Sequence, residues 1–448
     1  MNFEQFKNIV MAYAQEKGLA EYELYFQGGE SVCVTVFGHE VDAFESSCQG
    51  GVCFRCIVKG KMGYASTESC CEAEARAIVD RAMDNASVLE SEEKVFLTPG
   101  GLSYEEAKAA AYQLPDTHTL IHKALELQEK QYGAHPAVVD GTSVRTVVET
   151  STVAISNSLG LNLTYSAQLA AALAEAVVEK EGEKATHHKI LVGDLAAMDL
   201  EAVAQETATG AYVKLDSDIA PTGSYPVVFD PEAVAGLLQV FSSAFSAEAA
   251  QKGLSRLAGR EGETVAADCV TLTDDPFCAQ SPMPMPFDAE GSPTHKKHVI
   301  QGGVLQTLLH NRKTANVAGC ETTGNAAKAG YDAPMAIRPF SMYLEGGDLT
   351  KEELLQKAGT GVYINQLEGL HAGANPVTGD FSLQSGGFLI EEGKLTKPVR
   401  SFTVAGNFFQ MLKDIVALSD QAVLPRATGA TAFGGPCVLV QGLSVAGK

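Results

Sequence analysis

Ser224-Tyr-Pro-Val-Val-Phe-Asp-Pro-Glu-Ala233 is the stretch that orders the rest of this chain. Tyr225–Phe229 reads as a strand. Asp230 is placed to cap a following helix, and Pro231 falls at the first helical position, where its missing N–H costs nothing. Downstream, Val234, Leu237, Leu238, Phe241 and Phe245 recur at i, i+3, i+4, i+7 and i+11. That spacing makes one apolar stripe and predicts a helix packed into a core. Upstream, Ala220-Pro221-Thr222-Gly223-Ser224 has the composition of a domain boundary. The expected division is therefore residues 1–222 and residues 223–448.

Before the boundary, helical and alternating patterns take turns. Asn2 can cap a first helix with Gln5 three residues on, and Phe3, Phe6, Val10 and Tyr13 give it an apolar stripe. A strand-rich stretch follows from Glu21 to Ala65, with turn signals expected at Gly28-Gly29, Gly38, Gly50-Gly51 and Gly60. Helices are expected near Glu72–Leu89 and Asp116–Gln131. A second strand-rich stretch, Ala137–Val178, turns at Asn157-Ser158-Leu159-Gly160 and leads to a helix near Asp194–Tyr212. The second series echoes the first, as an internal duplication would. After the boundary, short apolar runs and glycines predict a mainly antiparallel β domain with few helices, Lys351–Lys357 among them. The fold class is α+β in two domains, the N-terminal one mixed α/β and the C-terminal one β-rich.

With 448 residues, 45% hydrophobic and 20% charged, the chain can bury sizeable cores. Acids outnumber bases 55 to 33, a net charge of −22. That balance argues against direct binding to nucleic acid or to an anionic membrane surface, since both need clustered Lys and Arg. The opening Met1–Gly18 has neither a basic region nor a long apolar run, and no stretch approaches a membrane span, so a cytoplasmic protein is expected.

Six of the ten cysteines lie within Cys33–Cys71. Cys53-Phe-Arg-Cys56 is compatible with a metal or redox site, but its flanks alternate like a strand and no second pair has matching spacing, which favours free thiols. His295-Lys-Lys-His298 reads as a basic turn entering a strand, and His187-His188 as part of a polar linker. Asp288 and Glu290 are spaced to share a strand face and could hold a cation or a basic group. Asp before Pro276 and Glu before Gly291 are equally ordinary turn chemistry.

A series of spaced motifs spanning Ser156 to Val445 resembles the TldD/PmbA peptidase family. It comprises Ser156-Asn-Ser158 with Gly160, the Ser224–Ala233 strand-helix and Gly253-Leu-Ser-Arg256 with Gly262-Glu263. Thr273-Asp-Asp-Pro276, Phe287-Asp-Ala-Glu-Gly-Ser-Pro293, Gly302-Gly-Val304 and Thr322-Thr-Gly-Asn325 follow. Asn375-Pro-Val-Thr-Gly-Asp-Phe-Ser382 and Gly442-Leu-Ser-Val445 complete it. The resemblance implies two kinds of subunit. TldD-type chains carry HExxxH on the helix after the boundary and a later cysteine, which together hold zinc while the glutamate serves as general base. Here Gln239, Val240 and Ala244 stand at the positions of the first His, the Glu and the second His. No cysteine lies between Cys320 and Cys437. That is the pattern of a TldE/PmbA-type subunit.

The resemblance thus implies a chain without a metal or catalytic residues of its own. It would pair with a zinc-bearing TldD-type partner in a heterodimer that trims or degrades unfolded peptides, and would form a homodimer when alone. Asp275, Asp288, Glu290, Asn325, Asp380 and Ser382 are the candidate peptide or partner contacts. Alternative readings are a stand-alone hydrolase, which the missing HExxxH opposes, and a regulatory protein-binding module acting on DNA gyrase or a toxin–antitoxin system.

Overall fold

The computed structural model describes residues 1–90, 93–108, 112–428 and 431–448. Of these, the elements from Phe3 to Val213 form two successive α-β-β-β-α units. The first contains α1 (Phe3–Glu16), β1 (Tyr22–Phe37), β2 (Glu40–Val58), β3 (Lys61–Thr67) and α2 (Glu72–Val88). The second contains α3 (Thr117–Ala134), β4 (Ser143–Asn157), β5 (Asn162–Lys180), β6 (Glu183–Val192) and α4 (Leu200–Val213). The six strands make one antiparallel sheet ordered β3-β2-β1-β4-β5-β6. The order is palindromic about the β1–β4 seam, which is the duplication that the sequence echo suggests.

Strand alternation divides this sheet between two partners. Leu24, Phe54 and Cys56 pack with Phe6, Val10, Ile78 and Val79 of α1 and α2. Val34, Val144, Ala170 and Ala172 pack with Leu120, Leu127 and Val203 of α3 and α4. The opposite face carries Tyr25, Cys53, Val153 and Ile155, which close over Phe287 of the C-terminal half. All four helices cover one face, and the C-terminal half rests on the other.

Two glycine pairs expected as turns lie inside strands. Gly28 and Gly50 are direct partners on β1 and β2, and the strands run through them without reversing. The reason is crowding. A Cβ on Gly29 would lie 2.0 Å from the Thr150 carbonyl oxygen, and one on Gly51 would lie 2.6 Å from the Tyr331 ring. Here glycine marks close backbone approach.

The C-terminal half begins with β7 (Gly223–Phe229) and α5 (Pro231–Phe241). Asp230 caps α5 by accepting from the Glu232 amide at 2.9 Å. Around α5 stand two six-stranded sheets. One runs Lys394–Asn407, Asp380–Glu391, Gly361–Glu368, β7, Val438–Ala446, Ile415–Leu418. Pairing of Thr403–Ala405 with Ser444–Ala446 closes five of these strands into a barrel. The other runs Val304–Leu305, Lys297–Gln301, Leu272–Asp274, Ser341–Leu344, Thr431–Gly435, Val423–Thr428. Most pairings are antiparallel, but β7 with Gly361–Glu368 and Ser341–Leu344 with Thr431–Gly435 are parallel. Seven of the eleven α5 residues are buried, and the whole expected stripe from Val234 to Phe245 lies in the core.

Three further expectations are corrected. His187-His188 lies on β6, where His188 pairs with Glu175 of β5, so the pair belongs to a strand and not to a polar linker. The helix expected from Asp194 begins at Leu200, capped by Asp199. The expected basic turn His295–His298 already contains strand at Lys297, whose ammonium is buried and paired with Asp274 at 3.2 Å.

Candidate functional site

A cleft of about 1580 Å³ separates the β5–β6 end of the first sheet from the C-terminal half. One wall is β6, whose Thr186, His188, Ile190 and Val192 are exposed along its length. The facing wall carries the start of α5, Asn365–Glu368, the Phe277–Pro284 loop and Val423–Arg426. His187, which also lines the cleft, tucks against α4, where a Cβ on Gly210 would come within 2.4 Å of its ring. Burial, with Lys214 nearby, lowers its pKa to about 4, so it is neutral at physiological pH.

The start of α5 is tied down on the cleft wall. Asp230 also accepts from the Tyr363 hydroxyl, and Lys351 donates to that hydroxyl at 2.7 Å. Arg426 pairs with Glu232 at 2.6 Å, and its guanidinium lies 3.3 Å from where a Gly236 Cβ would stand. Glu232, Gly236, Gln239 and Val240 follow one another along one helical face. Arg426 therefore lays a cation on the face that carries the first two metal-motif positions.

The helix does not continue to the third. It ends at Phe241, and Ser242–Phe245 is a 3-10 turn. Ala244 is buried in the core, while Gln239 and Val240 are half-buried. An amide, an isopropyl group and a methyl group offer neither a strong zinc ligand nor a proton acceptor. These residues do not fit the zinc site of the TldD pattern.

The six candidate contacts fall in two places. Asp288 and Glu290 sit on the tight turn Phe287–Pro293, and so do not share a strand face. Of the two chemistries open to these carboxylates, ligand or turn, the local geometry favours the turn, because both Asp288 oxygens already accept backbone amides. Oδ1 accepts from Glu290 and Ser292 at 2.9 Å each, and Oδ2 accepts from Ala326 at 3.0 Å. Glu290 accepts from the Arg312 amide at 2.8 Å. Burial pushes both carboxyls upward; proximity to Glu290 adds to the shift at Asp288, while Arg55 and the Arg312 amide oppose the shift at Glu290.

Asn325 is fully buried beside this turn. It donates to Asp274 at 2.7 Å and to the Arg338 carbonyl at 3.0 Å. Asp275 is half-buried and accepts from the Phe277 amide at 2.9 Å. Asp380 and Ser382 are elsewhere, exposed on the strand Asp380–Glu391, with Asp380 accepting from Asn407 at 2.8 Å.

The densest polar arrangement includes residues that the sequence alone does not single out. Tyr64, Arg55, Glu23 and Asn157 are successive cross-strand partners on β3, β2, β1 and β4. They form one row on the face toward the Asp288–Ser292 turn. Arg55 meets Glu23 at 2.6 Å, both buried, and Asn157 donates to Glu23 at 3.1 Å and to the Thr98 carbonyl at 2.8 Å. Thr98 in turn donates to the Glu290 carbonyl at 2.6 Å. The row thus bonds the two halves together. A charge within an otherwise apolar strand, Cys53-Phe-Arg-Cys56, is the signal that could have found it.

Comparison with known proteins places these features. The profile of the PmbA/TldA metallopeptidase C-terminal domain matches residues 222–447, and that of PmbA/TldA metallopeptidase domain 1 matches residues 22–86. An uncharacterized protein of Methanocaldococcus jannaschii is 28% identical over 413 residues, 90% of this chain and 93% of its own. A Methanothermobacter thermautotrophicus metalloprotease is 30% identical over 294 residues, 63% of each chain. Among solved structures, a Thermotoga maritima protein described as a proposed modulator of a DNA gyrase superposes with a TM-score of 0.90 at 28% identity. It covers 99% of this chain and 100% of that one. TldE from Thermococcus kodakarensis shares the fold, with a TM-score of 0.88 at 23% identity over 98% and 99% of the two chains. The two-domain architecture, the strand-helix at the head of the second half and the profile matched across that half agree: the chain belongs to the PmbA/TldD metallopeptidase family.

Proposed function

We propose that this chain is the non-metal-binding, TldE/PmbA-type subunit of a TldD–TldE metalloprotease that trims or degrades unfolded peptides. Residues 1–222 and 223–448 act as its two domains, one on each side of the cleft. The observation that carries this reading is α5: Gln239, Val240 and Ala244 occupy the motif positions, the helix ends before the third, and Arg426 sits on the same face. In this reading the partner supplies zinc and the general base, and this chain supplies one wall of a peptide chamber. Asp380 and Ser382, the exposed members of the candidate set, are the contacts assigned to peptide or partner. Asp275, Asp288, Glu290 and Asn325, in the other place, hold the frame of the Phe287–Pro293 turn and its surroundings. The isolated chain pairs with itself through the surface it would offer a partner.

Zinc content tests the proposal directly. The purified chain, dialysed against buffer containing micromolar zinc, is expected to retain far less than one equivalent. One tightly held zinc per chain, released only by chelator, would overturn it.

A further inference from the structure

A second cavity, of about 280 Å³, opens beside the main cleft and shares Tyr165 and Ala167 with its wall. Lys328 lines it, at the end of the short strand Ala326–Ala327 whose first amide is held by Asp288. The Lys328 ammonium lies 4.9 Å over the Tyr25 ring and donates to the Tyr331 carbonyl at 2.6 Å. The buried thiol of Cys53 interacts with it, Arg55 and Glu23 act on it electrostatically, and no carboxylate forms a salt bridge with it among the described residues. Arg338, exposed at the rim, is the second cation of this cavity. Glu149 also lines the cavity, and the oxygens of Asp288 are taken up by backbone amides.

From this geometry we infer that Lys328 is a nucleophilic amine that captures a small carbonyl compound bearing an anionic group, such as an α-oxo acid, as an imine. The Lys328 lone pair forms the new C–N bond. Its two N–H protons leave with the carbonyl oxygen as water, so no oxidant or reductant is needed. Arg338 holds the anionic group, and the Tyr25, Phe340, Met283 and Met285 side chains give the carbonyl a wall shielded from water. Two features make this amine unlike a surface lysine. Burial, with Arg55 nearby, lowers its basicity against the opposing pull of Cys53 and Glu23, which leaves more of it uncharged at neutral pH. The Tyr331 carbonyl and the Tyr25 face fix its direction. The site is independent of the peptidase reading and would stand or fall separately.

The test is reductive trapping. The full-length folded chain is incubated at neutral pH with glyoxylate and cyanoborohydride, and adducts are mapped by peptide mass spectrometry. Lys328 is expected to label several-fold faster than exposed lysines, because its basicity is lowered and its direction is fixed. The preference is expected to vanish in urea-unfolded chain. The R338M variant, altered at an exposed side chain, is expected to lose selectivity for glyoxylate but not for uncharged propanal. The K328R variant serves as the background for the mapped peptide. If it fails to fold, the wild-type map alone decides. Uniform labelling of surface lysines with Lys328 unmodified would overturn the inference. So would R338M labelling by glyoxylate at the wild-type rate.

Discussion

Replacing Arg55 by Met should destabilise the protein far more than its loss of volume suggests. The substitution fills most of the space but leaves Glu23, which is 0% exposed, without the guanidinium that meets it at 2.6 Å. Its remaining side-chain partner is the Asn157 amide at 3.1 Å. Glu290, 6% exposed, loses the same nearby positive charge. Breaking a buried ion pair from one side costs about 3–5 kcal/mol, because a buried charge is left uncompensated. For a cooperative unit of roughly 200 residues, that lowers Tm by roughly 7–12 °C. The chain has no tryptophan, so far-UV circular dichroism is the suitable assay. In the E23Q/R55M double variant the stranded Glu23 charge is gone, and the part of the lost stability that it caused should return, leaving only the smaller loss at Glu290. A single variant that melts within about 2 °C of wild type would mean that the pair is not buried as described, because a solvated pair is worth only that little. So would a double variant as unstable as the single.

Two other outcomes follow from the same packing and electrostatics. Phe241→Ala, which removes a fully buried ring stacked on Phe408 at 4.4 Å, should cost about 3–5 kcal/mol by denaturant titration; a loss under about 1 kcal/mol would mean that α5 is not in the core as described. Burial raises Asp288 in the folded state, so the native protein binds more protons there than the unfolded chain does. The stability of wild type relative to D288N should therefore decrease as pH rises from the ordinary carboxylate range through the raised value; a difference that grows with pH would contradict it.

The β7–α5 unit is readable in the sequence because all its signals are local. A cap, a proline at the first turn and a five-residue stripe agree with one another, and all five stripe residues are buried. The palindromic sheet is half-visible as an echo of two strand-rich stretches. The row Tyr64–Arg55–Glu23–Asn157 is not visible, because its members come together only through the register of four strands. Gly28-Gly29 misleads for the same kind of reason. In sequence the pair is indistinguishable from a turn, and only the Thr150 carbonyl packed against it explains why no side chain fits. Closure of the barrel joins Thr403–Ala405 to the end of the chain, again beyond the reach of any local pattern.

In the proposed function, hydrolysis belongs to the pair and not to this chain. The most direct measurement is cleavage of an unfolded reporter peptide by three samples: this chain alone, a TldD-type chain from the same source alone, and the two co-expressed. Robust cleavage is expected from the co-expressed pair, abolished by a zinc chelator and restored by added zinc, with none from this chain alone. Cleavage by this chain alone, insensitive to chelator and lost on mutating one of its own residues, would contradict it.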